Sequence, residues 1–431
     1  MCRLPQWRAL AFALIAALSS ASAQDILDPA FQKIPFDTWF TEKGQARFDW
    51  SARAIAGELG SLQRLRARIE VTVDGNELVK RRGHGDLLFF VQINDAHHRY
   101  QSHGSLGLRD VNESAGKSNF VFAQNALVTP GNYRVAIGIQ DSQTGEHATV
   151  ERSLHVSPFR NDPLPQSWEG LPAVEFTEGG DPPDVWFQPT LTGRLHLPLE
   201  TRRGVRLHVL VNASPSALGP RYHIGQASNR SLAEALPGLK VISDMAPASG
   251  SLDVSMFDLT RRQVLFAQDH VDPRKQPLDW PRLRAALLEW NPNKIDVSEL
   301  EDQEHNAQFF VEKVRERCAA GAPTAVIILS GPMDFSRGAD LRPIALAHET
   351  TVKVFYLRYH PPPVRAPVVA SSQAYHGRRR GIPSDPGFAP QEPVDALEPL
   401  LKPLQPRVFE VYDPGQFRKA LAELMEEIGR M

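Results

Sequence analysis

The sequence predicts a multidomain chain in which an all-β sandwich is followed by a doubly wound α/β domain. Between residues 47 and 156, short β-rich runs follow one another with turn residues between them. From residue 201 onward, apolar strands alternate with segments of helical period. A chain of 431 residues with 42% hydrophobic residues is large enough for more than one core.

The first 23 residues have the pattern of a cleavable secretory signal peptide. Arg3 and Arg8 supply the positive start, Leu10 to Leu18 is apolar, and Ala21-Ser22-Ala23 is a small-x-small cleavage site before Gln24. The apolar run is too short to cross a bilayer comfortably. We therefore expect an exported mature protein, periplasmic or extracellular, with no membrane span once the signal is cleaved.

Charge and cysteine content narrow the possible functions. The chain has 48 Lys and Arg against 50 Asp and Glu, and cleavage takes two of the basic residues away. A slightly acidic balance argues against a general nucleic-acid binder. Cys2 leaves with the signal peptide, so Cys318 remains alone and no internal disulfide can form.

After an N-terminal segment at 24–46, residues 47–156 are predicted to form an Ig-like β-sandwich. Runs such as 66–73 and 87–93 are β-rich and end in Asp-Gly and Asn-Asp turns. Six or seven short strands at this spacing are typical of such a sandwich. A Pro-Gly-x-Tyr phrase at residue 130, followed by a Thr-Gly hairpin, resembles bacterial Ig-like modules.

A Pro-rich linker at 157–200 is predicted to lead into the α/β domain at 201–429. Runs at 205–211, 325–329 and 352–357 are apolar almost throughout, as buried parallel strands are. Strands alternating with helices predict a doubly wound, Rossmann-type sheet.

A second Pro-rich segment, at 360–406, is predicted to be an insertion in this domain. It carries Arg378-Arg379-Arg380, which could bind an anionic partner or form a solvated charge run. The chain then closes with a strand and a helix that Asp413 caps and Pro414 begins.

The loop after the first strand of the α/β domain carries the motif most relevant to function. It reads Asn212-Ala213-Ser214-Pro215-Ser216. It resembles the von Willebrand factor A family, whose first strand ends in Asp-x-Ser-x-Ser. The resemblance covers about 201–360 and 407–429, and it is strongest to secreted VWFA-related proteins that pair an Ig-like module with such a domain. It implies a von Willebrand factor A-like fold that binds other proteins at the top of its sheet.

The resemblance also implies a metal site, and three departures from the family pattern predict that this site is lost. The family holds Mg²⁺ or Mn²⁺ with that Asp, the two Ser, a Thr from a second loop and an Asp from a third. Here Asn212 replaces the first Asp, the stretch from Ile295 to Phe310 has no Thr, and Gly331 stands where the last Asp is expected. Neutral oxygens alone do not hold strongly hydrated Mg²⁺. We therefore predict no metal and no other cofactor, unless a different loop path brings Asp334 or Asp340 inward.

Four residues form the candidate binding site of this degenerate loop: Asn212, Ser214, Ser216 and Ser330. Without a metal, Ser214 and Ser216 are expected to cap the backbone N–H groups of a following helix. Asn212 is expected to fix the turn through an Asx-type contact.

Other chemistry-bearing patterns are weaker. The histidines at 84, 97, 98 and 103 have no Cys or paired carboxylate at metal-ligand spacing. The sequence has no Gly-x-Ser-x-Gly elbow, phosphate-binding loop or dinucleotide-binding loop. Cys318, in a helix, is interpreted as a buried, unreactive thiol.

These observations predict an exported, non-enzymatic protein-binding or scaffold protein with no catalytic residues. The sequence leaves the protein partner and the oligomeric state open. A metal-dependent adhesin-like domain is one alternative, and it needs a carboxylate near Ser214 and Ser216. An exported hydrolase on a variant α/β fold is the other, and it needs a clustered nucleophile and base.

Overall fold

The computed structural model describes residues 35–40, 48–83, 85–177, 191–214, 230–290, 302–319, 323–333, 352–360 and 395–431. The chain divides into two compact units, which are Met1–Leu59, Arg64–Arg160 and Gly170–Arg194 for the first and Gly60–Gln63, Asn161–Glu169 and Leu195–Met431 for the second. The predicted signal peptide and most of the predicted insertion, with Arg378 to Arg380, lie outside the described residues.

The first unit contains two four-stranded antiparallel sheets, ordered β1-β2-β5-β8 and β4-β3-β6-β7. The strands are β1 (Trp50–Leu59), β2 (Leu65–Asp74), β3 (Asp86–Asn94), β4 (Arg99–Gly107), β5 (Asn119–Val128), β6 (Gly131–Asp141), β7 (His147–Val156) and β8 (Val174–Thr177). Two short helices accompany them, α1 (Phe36–Trp39) and α2 (Gly75–Lys80).

Alternating side chains hold the two sheets together. In β2 every second residue from Leu65 to Val73 is buried, which is the pattern of a strand with one face in a core. Phe89 of β3 stacks on Phe122 of β5, with ring centroids 4.6 Å apart, and so joins one sheet to the other. The Tyr133 hydroxyl donates to the Thr129 carbonyl at 2.8 Å, a corner contact typical of Ig-like sandwiches.

Helix α1 covers part of the outer face of the β4-β3-β6-β7 sheet. Phe36 and Trp39 pack on Phe90. Phe90 pairs with Gly138, where a Cβ would come within 2.4 Å of the Phe36 ring. Glycine at 138 therefore makes room for the helix.

A buried ion pair lies at the β8 edge of the β1-β2-β5-β8 sheet. The Arg64 guanidinium donates to Glu175 of β8, and both side chains are almost fully buried. Glu175 also accepts from the N–H groups of Thr192 and Gly193 at 2.6 and 2.8 Å. Burial alone would raise the pKa of Glu175, but Arg64 and these N–H donors outweigh it and hold the pKa below its usual value.

The second unit is built on a six-stranded sheet, ordered β13-β12-β10-β14-β15-β16. Its strands are β10 (Val205–Asn212), β12 (Gly250–Asp258), β13 (Gln263–Val271), β14 (Thr324–Ser330), β15 (Val352–Tyr359) and β16 (Arg407–Val411), while β9 (Leu197–Leu199) and β11 (Met245–Pro247) form a separate parallel pair. Its helices are α3 (Arg230–Ile242), α4 (Trp280–Glu289), α5 (Gln303–Cys318), α6 (Leu397–Leu401) and α7 (Pro414–Gly429).

Apolar strands at the centre of this sheet make its core. All seven residues of β14 are buried, as its near-continuous apolar sequence predicts. Helices α5 and α6 pack over β14 and its neighbours with Phe310, Val314 and Leu400. On α7, Asp413 accepts the N–H of Gln416 at 2.9 Å and Pro414 is the first helical residue, which confirms the predicted helix start.

A fully buried arginine fixes α7 to the segment at 161–169. Arg418 donates through Nε and Nη2 to the carboxylate of Asp162, and also to the Leu164 carbonyl and the Ser167 hydroxyl. Its guanidinium lies over the Trp168 ring, 4.9 Å from the centroid. Segment 161–169 was predicted as linker, and here it packs within the second unit.

The predicted fold class, an Ig-like sandwich followed by a doubly wound, von Willebrand factor A-like domain of the Rossmann type, is wrong. The described chain is strand-rich and sandwich-like, with no clear doubly wound domain. All eight strands of the first unit, and β13 of the second, pair only in antiparallel fashion.

The physical reason for this error is that apolar runs indicate buried strands but not their crossovers. A doubly wound sheet needs a helix between successive parallel strands. In this chain β12 is followed by an antiparallel hairpin strand, and 334–351, between β14 and β15, lie outside the described residues.

None of the helices in the described ranges is long and apolar enough to cross a membrane.

We expect Glu175→Gln to destabilise the protein by about 3 kcal/mol at neutral pH, because it leaves Arg64 buried without an opposite charge. Urea unfolding of the full chain, followed by circular dichroism, measures this. Because the folded-state pKa of Glu175 is lowered, the difference from wild type should be present above about pH 4.3 and shrink as acid protonates Glu175.

Glu151→Gln is the matched control for this prediction. Glu151 forms an exposed pair with Arg134 at 3.7 Å, so its loss should change stability by less than about 0.5 kcal/mol. Equal effects of the two substitutions would contradict a stabilising role of the buried pair.

Candidate functional site

The carboxyl ends of neighbouring strands in the second unit bring polar side chains together. Strands β12, β10 and β14 are parallel neighbours, so their last residues lie at one edge of the sheet. These strands end at Asp258, Asn212 and Ser330. All three side chains are buried.

Asn212 ties β10 to β14. Its Nδ2 donates to the Ser330 hydroxyl at 2.9 Å, and its Oδ1 accepts the Ser214 N–H at 3.0 Å. The second bond is the Asx-type contact expected for this residue. Ser330 in turn donates to the Gly331 carbonyl at 2.7 Å. Asn212, Ser214 and Ser330 therefore belong to one hydrogen-bonded group.

Ser214 contacts the end of β12, and the helix start that it was expected to cap falls outside the described residues. Its hydroxyl accepts the Leu259 N–H at 2.6 Å and donates to Asp258 Oδ1 at 3.3 Å. Residues 215–229 lie outside the described ranges, and Ser216 with them, as do Asp334, Asp340 and His84.

Asp258 is the central residue of this group, and sequence reasoning missed it. Its side chain is 0% exposed. Besides Ser214, Oδ1 accepts the N–H of Thr260 at 2.9 Å and the Thr260 hydroxyl at 2.6 Å. Oδ2 accepts the indole N–H of Trp290 at 2.8 Å. Four donors satisfy this carboxylate, which is how a charge is tolerated away from water.

A signal for Asp258 was present in the sequence. The run from 251 to 259 has the apolar character of a strand, and an acidic residue near the end of a strand lies at the sheet edge beside the neighbouring strand ends. The strand order, which places β12 next to β10, is not readable from the sequence.

A second buried group lies at the next strand end. Asp395 accepts the N–H groups of Met333 and Leu397 through Oδ1, at 3.1 and 3.2 Å, and Arg358 Nη1 through Oδ2 at 3.0 Å. The Tyr356 phenol is fully buried nearby. Burial is the main cause that raises the pKa of Tyr356 well above its usual value, and the negative charge of Asp395 adds to the effect. The phenol therefore stays protonated.

Two partly buried side chains and three exposed ones form a rim beside this buried group. Arg358 also pairs with Glu398 at 2.8 Å and with Glu410. His360 Nε2 lies 2.5 Å from Glu410, and its ring stacks on Tyr412 with centroids 4.2 Å apart. We call Arg358, His360, Glu398, Glu410 and Tyr412 the Tyr412 rim.

The rim is held by strong electrostatic pairing. The hydrogen bond to Glu410 contributes most to raising the pKa of Arg358, and the hydrogen bonds to Asp395 and Glu398 raise it further. Burial would raise the pKa of Glu410, but Arg358 and His360 outweigh it and lower the pKa. Both groups therefore keep their charges at neutral pH.

Groups that could perform catalysis are buried elsewhere. His208 Nδ1 lies 3.3 Å from Asp253 Oδ2, a His–Asp pair that sequence reasoning did not single out. The imidazole is buried, and this burial lowers its pKa. Burial raises the pKa of the Cys318 thiol to about 11, so it is a poor nucleophile at neutral pH.

The sandwich histidines are not assembled into a metal site. The backbone N–H groups of His97 and His98 both donate to Asp95 Oδ1 at 2.6 Å. Within the ranges that the structure describes, no group of three or more His, Cys, Asp or Glu is arranged to hold a metal ion. In the part of the chain that the structure describes, Asp258 is the carboxylate that bonds to Ser214 of the predicted loop site.

Comparison with known proteins gives no family for this chain. No family model and no curated protein match the sequence. A solved structure of a Northeast Structural Genomics Consortium target, SoR45, aligns with 27% of this chain and 91% of its own, at 14% identity and a TM-score of 0.18. A calcium-binding mutant of Bacteroides uniformis beta-glucuronidase 2 aligns with 72% of this chain and 36% of its own, at 10% identity and a TM-score of 0.18. Neither likeness indicates a von Willebrand factor A domain.

We expect Asp258→Asn to destabilise the protein by about 2 kcal/mol, because an amide keeps one acceptor oxygen and turns a donor toward the Trp290 or Thr260 donors. Urea unfolding measures the change. Asp279→Asn is the matched control. Asp279 caps α4 by accepting the Arg282 N–H at 3.0 Å, and Asn caps as well as Asp. Equal stability of the two variants would contradict a central role for Asp258.

Proposed function

We propose that this chain is an exported, non-enzymatic protein-binding or scaffold protein that contacts its partner through the Tyr412 rim. The observation that carries the proposal is Tyr412 itself. Its side chain is 55% exposed, although it is large and partly apolar. Tyr and Arg are enriched in protein interfaces, and the rim places Tyr412 in the same group of side chains as Arg358.

The order of the Tyr412 ring supports this proposal. Stacking on His360, which is held by Glu410, restricts the ring before any partner arrives. A side chain that is already ordered loses little entropy on binding, so more of its contact energy contributes to affinity. Tyr and Arg, both present in the rim, are the residue types enriched where binding energy concentrates.

The buried polar groups of the second unit support a binding role over catalysis. Asn212, Ser214 and Asp258 are already hydrogen-bonded to one another or to neighbouring side chains and backbone groups. Asp395 bonds to Arg358 of the rim and to two backbone N–H groups, which holds the rim on a rigid part of the fold. Export is supported by the signal-peptide pattern of the first 23 residues.

Site-specific photocrosslinking tests the rim as a protein-binding surface. A benzophenone amino acid at position 412 of the full chain, expressed in its own cells, should give a discrete crosslinked species. The same probe at Leu288 of α4, which is 74% exposed, is the control for an exposed apolar position. No crosslink at 412, or the same products from both positions, would refute the proposal.

A charge reversal sharpens this test. Glu398→Lys, at a side chain 50% exposed, should reduce the yield at 412 severalfold, because it places a cation beside Arg358. Glu426→Lys on α7, at a side chain 62% exposed, should leave the yield unchanged. Equal loss from both would indicate a nonspecific charge effect.

One observation favours a second candidate, the metal-dependent binding domain. The carboxylate of Asp258 lies 3.3 Å from Ser214 Oγ, where that function needs an acidic ligand. All the donors on Asp258 would have to be displaced for both of its oxygens to face a metal. The predicted loss of the metal site therefore remains our expectation.

Melting curves with Mg²⁺ and Mn²⁺ test the second candidate. A site with millimolar affinity would stabilise the fold by about 1.8 kcal/mol at roughly 20 mM metal, which is a shift of several degrees. We expect no shift beyond a salt control, and none in Asn212→Asp. A saturable, metal-specific shift that Ser214→Ala abolishes would favour the metal-dependent domain.

A further inference from the structure

An open cleft on the first unit, away from any predicted site, has the chemistry of a ligand-binding surface. It has a volume of about 500 Å³ and lies where β3 ends, β6 begins and β7 ends. Its polar side chains are Asn94, Asn132, Arg134, Ser153 and His155. Arg134 of β6 lies between Asn94 of β3 and Ser153 of β7. Asn132 of β6 lies beside His155 of β7. These side chains therefore share one face of the sheet.

The two charged side chains at the cleft, Arg134 and Asp95, already have partners. Arg134 is paired with Glu151, at 3.7 Å. Asp95 also lines the cleft, but its carboxylate accepts the N–H groups of His97 and His98 and the Tyr100 hydroxyl. Burial would raise the pKa of Asp95, and these donors outweigh it and lower the pKa. The Asp95 carboxylate keeps its negative charge, which repels an anion, while its oxygens are already hydrogen-bonded.

Donors and acceptors stand side by side in the cleft. His155 Nδ1 lies 2.7 Å from Asn132 Oδ1. An amide oxygen only accepts, so His155 Nδ1 carries a proton and donates to Asn132. The Asn132 Nδ2 group keeps its donors, and the Ser153 hydroxyl can do either. A ligand hydroxyl, which both donates and accepts, matches this set of groups.

The floor of the cleft is fixed. Tyr133 and Leu154 are buried beneath the polar side chains. Bonds from the Tyr133 hydroxyl to the Thr129 and Ala173 carbonyls hold the start of β6 in place. The polar groups are therefore positioned before a ligand binds, and a volume of this size is typical of small-molecule sites.

We propose that this cleft binds a neutral, hydroxyl-rich ligand, one or two pyranose units of a saccharide. Hydroxyls arranged around a ring fit the paired donors and acceptors of Asn132, His155 and Ser153. The negative charge of Asp95, and the carboxylate of Glu151 beside Arg134, disfavour an anion in the cleft. The site belongs to the first unit and is independent of the Tyr412 rim.

Saturation-transfer NMR on the full chain tests the proposal. The neutral probes are maltose, cellobiose and lactose, and glucuronate and inorganic sulfate are the anionic probes. At least one neutral disaccharide should receive saturation from the protein, and the anions should not displace it. Absence of transfer to all three, or displacement by glucuronate or sulfate at equal concentration, would overturn the proposal.

Three substitutions locate the binding. Asn132→Ala, Ser153→Ala and His155→Phe each remove a hydrogen-bonding group and should weaken binding about fivefold to tenfold. Their melting temperatures should stay near wild type, because the side chains are exposed. Ser105→Ala, at an exposed serine of β4 outside the cleft, is the matched control. Unchanged affinity in all three cleft variants would overturn the proposed site.

Discussion

A carboxylate removed from water must find donors inside the protein, and Asp258 finds four of them at the end of β12. They come from the loop after β10, from the β12–β13 turn and from the residue that ends α4. One charge thus fixes three segments that are distant in sequence. The positions of Ser214 and, through Asn212, of Ser330 depend on it. Leaving any of these partners unpaired in a buried place would cost more than the bond itself contributes.

The same principle underlies our proposal that this part of the chain binds a partner and does not catalyse a reaction. A ligand for a metal, or a general base, needs a lone pair that the protein has not already used. At the ends of β10 and β12, neighbouring donors already bond to Asn212, Ser214 and Asp258, whereas Glu398, Glu410 and Tyr412 of the Tyr412 rim are exposed. Under the proposed binding role, recognition at the rim would depend on an ordered aromatic ring and paired charges.

Each of the two units contains a buried ion pair that orders an irregular segment. Arg64 with Glu175, and Arg418 with Asp162, are buried ion pairs whose remaining bonds go to backbone groups or hydroxyls of otherwise irregular segments. Each pair orders a segment near residues 161–194 that local sequence describes only as Pro-rich. On the exposed cleft of the first unit, by contrast, paired charges leave neutral hydrogen-bonding groups to face a ligand.

Sequence by itself determined the elements whose signal is local. Period-two alternation located β2, continuous apolar runs located β10, β14 and β15, and a cap with Pro at the first position located the start of α7. The Asx contact of Asn212 spans two residues, so it was predictable too. Tertiary structure alone decided the fold class, the role of Asp258 and the Tyr412 rim. Strand order and pairing direction are set by contacts between residues far apart in the chain. A side chain such as Asp258 acquires its partners only when those strands become neighbours.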